Sequence, residues 1–149
     1  MTIRLSTMAR NKLLDGGATG GIKPAFALGF MNIYTGSQPS SADTGATGTL
    51  LGTVSVNGGG TGITFDAAAA GVMSKASAET WRFTGLAAGV AGWFRLYEAT
   101  DTPSATQATK ARVDGAIGSS GADLNLTNLT IGVGQVNTCD AFTITMPDA

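Results

Sequence analysis

Gly92-Trp93-Phe94-Arg95-Leu96-Tyr97 opens the stretch that decides the fold. It continues through Ala111-Arg112-Val113-Asp114-Gly115-Ala116-Ile117-Gly118-Ser119-Ser120-Gly121-Ala122-Asp123-Leu124-Asn125-Leu126 and closes with Ala141-Phe142-Thr143-Ile144-Thr145-Met146-Pro147. Apolar residues alternate with polar ones in short runs, and small polar residues stand between the runs. A side-chain period of two is the mark of a half-buried strand. In the first run Phe94 and Leu96 share one face, and Trp93, Arg95 and Tyr97 share the other. In the last, Phe142, Ile144 and Met146 alternate with Thr143 and Thr145, and Pro147 ends the strand. Between them the apolar phase flips from Leu124 and Leu126 to Leu129, Ile131 and Val133. Such a flip predicts a bulge or bend at Thr127-Asn128.

Working outward, strands are predicted over 111–117, 80–84 and 90–99, the last two joined by a turn at 85–89. Strands are also predicted over 50–56 and 26–35. In the last of these Phe26, Leu28 and Phe30 hold one phase and Met31, Ile33 and Tyr34 break it, which calls for a bulge or burial on both faces. Asn57-Gly58-Gly59-Gly60-Thr61-Gly62 is a turn joining Val56 to Ile63 in a hairpin. Residues 66–76 read as a further short strand. Residues 6–15 form the helix candidate, capped by Ser6 or Thr7 and ended by Gly16-Gly17. About eight short strands with no long helix between them indicate an all-β, single-domain antiparallel β-sandwich, jelly-roll-like, with a short N-terminal helix. The expected division is an N-terminal arm over 1–21 and a sandwich over 22–149.

Composition narrows the function. The chain has 149 residues, enough for one core. Charged residues are 13%, against about 25% in an average soluble domain. The net charge is −1 and the nine basic residues are spread from Arg4 to Arg112, so no basic face invites nucleic acid or a membrane surface. No apolar leader or span is evident, and folding in a cytoplasm is expected. The sequons at Asn125 and Asn128 read as features of a Thr/Asn-rich strand.

There is no histidine, which removes the Ser-His-Asp triad, the Cys-His pair and the common zinc sites. No catalytic residue, cofactor site or metal site is assigned. Cys139 reads as a small buried hydrophobe. Glu79 and Glu98 read as solvated strand ends rather than a glycosidase pair. Asp101, Asp114 and Asp123 lack calcium-loop spacing, and Asp114-Gly115 reads as a turn. The glycine run at 58–62 lacks the Lys and Ser/Thr of a phosphate loop. Trp81, Trp93, Phe94 and Tyr97 fit a core better than a sugar-stacking platform. Trp93, Arg95 and Tyr97 on one strand face are the candidate protein interface, since these residue types favour interface centres. Arg4, Arg10 and Lys12 form the largest basic cluster and join that candidate list.

A wider pattern adds to this. Arg4-Leu5-Ser6-Thr7 with Arg10-Asn11 and Leu13-Leu14-Asp15-Gly16, Ile33-Tyr34-Thr35-Gly36-Ser37-Gln38-Pro39, Thr47-Gly48-Thr49-Leu50-Leu51-Gly52-Thr53, Gly92-Trp93-Phe94-Arg95, and Asp114-Gly115 with Gly118-Ser119-Ser120-Gly121-Ala122-Asp123-Leu124 together resemble small virion structural proteins of tailed bacteriophages. The resemblance implies a capsid cement or decoration protein on the capsid exterior, binding the major capsid protein and self-associating as a dimer or trimer. A tail, neck or fibre component is the first alternative. A carbohydrate-binding module, resting on aromatics in a β architecture, is the second. Within this reading the helix and the glycines at 16–21 are expected to form an arm that reaches a neighbour.

Overall fold

The computed structural model describes residues 3–15 and 20–146. In chain order the strands are β1 (Arg4–Leu5), β2 (Phe30–Thr35), β3 (Leu50–Val56), β4 (Val72–Ser74), β5 (Trp81–Thr84), β6 (Gly89–Tyr97), β7 (Arg112–Gly118), β8 (Leu124–Asn125), β9 (Thr130–Ile131), β10 (Val136–Cys139) and β11 (Thr143–Thr145). The helices are α1 (Thr7–Asp15) and the single turn α2 (Ile22–Ala25). The large sheet runs β1-β7-β6-β2-β3-β5-β10, with β8 beside β7 and β9 beside β6. β4 and β11 form a second, two-stranded sheet. All pairings are antiparallel except β7 with β8. The fold is the all-β antiparallel sandwich expected from the alternation, with sheets of unequal size.

The apolar face of the large sheet makes the core. Met31 and Ile33 of β2, Phe94 and Leu96 of β6 and Val113 of β7 are fully buried on it. An aromatic cluster joins this face to the small sheet. Phe142, just before β11, meets Phe94 edge-on at 5.4 Å, and Phe65 meets Trp81 edge-on at 5.4 Å. Ring pairs of this geometry add about 0.5–1.5 kcal/mol each beyond the area they bury.

Several boundaries differ from the sequence reading for identifiable reasons. β2 begins at Phe30, because Phe26 caps the short helix α2 and Leu28 takes a positive φ of 60°. Its register shifts at Tyr34 against both neighbours, and residues 31–34 are all buried, so the predicted bulge and two-sided burial are both present. The glycine hairpin closes at Thr61 rather than Ile63, with Asn57 and Gly58 at φ 55° and 70°. Ile63 instead bridges Gly29. Of residues 66–76 only Val72–Ser74 is strand. The chain breaks between β8 and β9 where the phase flip placed a bend. β10 had no counterpart in the sequence reading. Gly16-Gly17 and Pro147, read as the stops of the helix and of the last strand, lie outside the described residues.

Residues 3–15 are part of the sandwich rather than a projecting arm. β1 pairs with β7, Arg4 opposite Asp114 and Leu5 opposite Val113. Ser6 is fully buried and is the hinge of the arrangement. Its hydroxyl caps α1 by accepting the Ala9 N–H at 3.1 Å. It also accepts the Arg112 N–H and donates to the Lys110 carbonyl, both at 2.9 Å. Ser6→Ala removes a cap and leaves two buried backbone groups unsatisfied. It is expected to lower the unfolding free energy by about 2–4 kcal/mol in urea titration. A loss confined to a local helical signal, with the main transition unmoved, contradicts this placement.

Candidate functional site

The face of the large sheet opposite the core is polar, and it is where the predicted site residues fall. Because β6 pairs with β7 and β2, side chains of one parity line up in rows across the strands. One row reads Arg4, Asp114, Arg95, Asn32 and Thr53 on β1, β7, β6, β2 and β3. The next sets Arg112 opposite Tyr97 and Tyr97 opposite Phe30, and on the other side Trp93 stands opposite Tyr34.

This face is covered. Arg95, Arg112, Asp114 and Trp93 are 0% exposed, and Tyr97 is 9% exposed. Arg95 holds Asp114 in a two-pronged pair, Nε to Oδ1 and Nη2 to Oδ2, each at 2.7 Å. Its remaining Nη1 donates to the carbonyls of Thr44 at 2.9 Å and Pro103 at 2.8 Å. Arg112 repeats the pattern with Asp101, at 2.6 and 2.9 Å, and donates to the carbonyls of Thr102 and Ala105 at 3.0 and 2.9 Å. A guanidinium offers five N–H donors in a fixed plane, so one arginine can bind a carboxylate along one edge and loop carbonyls along the others. The two arginines therefore fasten the loops 36–49 and 98–111 over the sheet.

Asp43 adds a third anchor. Its carboxylate accepts the Thr7 N–H at 2.9 Å and the Thr7 hydroxyl at 2.6 Å, at the N-terminus of α1 where negative charge is favoured. The Asp43 carbonyl accepts the Gln107 N–H at 2.8 Å, which ties the two loops to each other. Beneath them Thr53 donates to Asn32 Oδ1 at 2.7 Å and Asn32 donates to the Tyr34 hydroxyl at 3.0 Å. Trp93 stacks on Tyr34 at 4.6 Å, with the Arg95 guanidinium 5.4 Å from its ring.

The proposed interface stripe is corrected by this geometry. Trp93, Arg95 and Tyr97 do share a face, but the loops that Arg95 itself holds shut remove it from solvent. Asp114-Gly115 is corrected too: it lies inside β7, not in a turn. Gly115 is required there because a Cβ would come within 2.6 Å of the Phe94 ring. Trp81, Trp93, Phe94 and Tyr97 are all buried and offer no platform for a sugar. Arg4 is half-buried and donates to the Ser40 carbonyl at 2.8 Å, Arg10 is exposed and turns back to Thr7, and Lys12 is half-buried in α1. These three flank the covered face without joining Trp93 in an accessible patch.

The remaining candidates are structural in the same way. Asp101 and Asp114 are each taken by an arginine, and Asp123 accepts the Ala116 N–H at 2.9 Å. Among the described residues no group of three or more His, Cys, Asp or Glu side chains is placed to hold a metal. Cys139 is buried, and desolvation pushes its thiol up to about 12. Glu79 and Glu98 are half-buried staples rather than solvated strand ends. Glu79 accepts the Thr64 N–H and hydroxyl and the Trp81 indole N–H. Glu98 accepts the Ala111 N–H and pairs with Lys110 at 2.9 Å.

Burial alone pushes both glutamates up. Their hydrogen bonds, with the charges of Lys75 and Lys110, outweigh it and hold both below the ordinary carboxylate range. At Asp114 burial prevails over the arginine contacts and the carboxyl is raised. No protein-family model matches the chain, and neither a curated protein nor a solved structure matches it.

Two outcomes follow from the charges. Arg95→Met leaves Asp114 buried without its partner, and is expected to cost about 3–5 kcal/mol in chemical denaturation. A loss under about 1 kcal/mol, typical of exposed pairs, contradicts a closed clamp. A glutamate held low in the folded state stabilises the fold above its unfolded pKa, and that contribution is lost as pH falls through the lower folded value. Asp114 runs the other way, its contribution being lost as pH rises through its raised value. Glu79→Gln and Glu98→Gln are therefore expected to be less stable than the parent at pH 7 and to lose less on acidification below about pH 4.5. Parallel stability–pH curves for parent and variants contradict the staple roles.

Proposed function

We propose that the chain is a structural protein of a tailed-bacteriophage virion, a cement or decoration protein that binds the outer capsid lattice and stabilises contacts between capsomers. One observation supports this most: the strongest polar groups of the molecule, Arg95, Asp114, Arg112 and Asp101, are buried and fully engaged in closing its own loops. Groups arranged this way give rigidity, and they are withdrawn from any substrate. The motif resemblance noted above points to the same class. A rigid β scaffold suits a lattice role because many modest contacts, repeated over a shell, sum through avidity. The partner in this reading is the major capsid protein, and the site of action is the capsid exterior.

Quantitative gel analysis of purified particles of the phage that encodes the chain tests this. Cement predicts a copy number comparable to that of the major capsid protein. A few to tens of copies per particle moves the assignment to tail, neck or fibre, and absence from particles overturns the virion role.

A further inference from the structure

The two ends of the large sheet are not alike. β1 closes one end with two residues, carries Arg4, and runs straight into α1. Short edges, charge and a covering helix are the ordinary protections against edge-to-edge pairing. β10 closes the other end, and among the described residues it pairs only with β5. It is four residues long, Val136-Asn137-Thr138-Cys139, with no lysine, arginine, proline or bulge. No charged residue occurs between Asp123 and Asp140.

Apolar exposure gathers at the same place. Val136 is 64% exposed and Val133 72%. The turns carrying Val133 and Leu86 are bonded together through Gly85 to Gln135 and Gly134 to Gly85, each at 2.8 Å. A groove of about 180 Å³ is lined by residues 126–128 and 135–138.

We infer that β10 is a self-association edge, pairing antiparallel with β10 of a second copy of this chain about a two-fold axis through Asn137. The charge pattern selects that occupant. In a two-fold strand pair each side chain stands near a copy of its own strand, so an edge bearing one sign of charge repels itself. A neutral edge is self-complementary. The register follows from the faces: Val136 and Thr138 point to solvent, and Asn137 and Cys139 point inward. Opposed residues in an antiparallel pair lie on one side of the sheet. Val136 then faces the partner subunit's Thr138, and Asn137, whose Nδ2 donates to the Gln135 carbonyl of its own chain at 3.1 Å, faces its own copy. The two sheets become one continuous sheet across the dimer.

This inference is independent of the virion reading and is tested on the isolated protein. Sedimentation equilibrium of the parent chain is expected to give twice the chain mass at micromolar concentration. Val136→Lys with Thr138→Lys puts like charges opposite each other on exposed positions, and is expected to give the 14.9 kDa monomer with an unchanged circular dichroism spectrum. Val136→Lys with Thr138→Glu puts opposite charges together in the same register and is expected to restore the dimer. A monomeric parent, a dimer that survives the double lysine variant, or a charge-pair variant that stays monomeric overturns the assignment. If the parent is monomeric yet strand-like peptides of another protein protect the β10 amides from exchange, the edge serves a different partner and the self-association is wrong.

Discussion

The Arg95–Asp114 pair stands at the centre of the molecule. It joins β6 to β7, the two strands nearest the middle of the order on that side, and its spare donors reach the loops before β3 and after β6. Arg112 and Asp101 extend the same device by one row. Neither pair is a cheap source of stability, because withdrawing ions from water costs several kcal/mol before any attraction is counted. What the pairs supply is definition. A guanidinium with its carboxylate on one edge and carbonyls on the other accepts few alternative arrangements. Two irregular loops are thereby held in one conformation over an otherwise bare sheet face.

That constraint explains the shape of the sandwich. The small sheet, β4 with β11, covers part of the apolar face through Phe142 and the Phe65–Trp81 pair. Among the described residues no second sheet covers the polar face. The loops 36–49 and 98–111 take that place, carried by arginines below and by Asp43 on the N-terminus of α1 at the side. The N-terminal segment belongs to the same assembly through Ser6. Among the described residues β10, at the far end of the large sheet from β1, pairs only with β5 and carries no charged side chain.

Much of this was legible from alternation. The strands over 50–56, 81–84, 89–97 and 112–118 announced themselves by period, and the phase flip after Leu126 located the break between β8 and β9. The polar face was not legible, for physical reasons. An arginine in a strand ordinarily marks solvent, and the carbonyls that bury Arg95 come from loops whose own sequence carries no periodicity. Asp-Gly ordinarily marks a turn, yet Asp114 and Gly115 serve opposite faces of one strand, the first for Arg95 and the second for the Phe94 ring. The in-phase spacing of Arg112 and Asp114, with Arg95 on the preceding strand, was the signal for the ion pairs. β10 escaped because Val-Asn-Thr-Cys is short and mostly polar, and only its pairing with β5 makes it a strand.

If the arginine clamp closes the polar face, the loops are as firmly held as the strands beneath them. Amide hydrogen exchange of the unmodified protein reads this directly at Gly45, Ala105 and Gln107, whose N–H groups bond within and between the loops. The clamp predicts protection approaching that of β6 and β7 amides, lost only in the larger opening events that also expose the sheet. Exchange at the rate of an open surface loop, with β6 and β7 still protected, contradicts it.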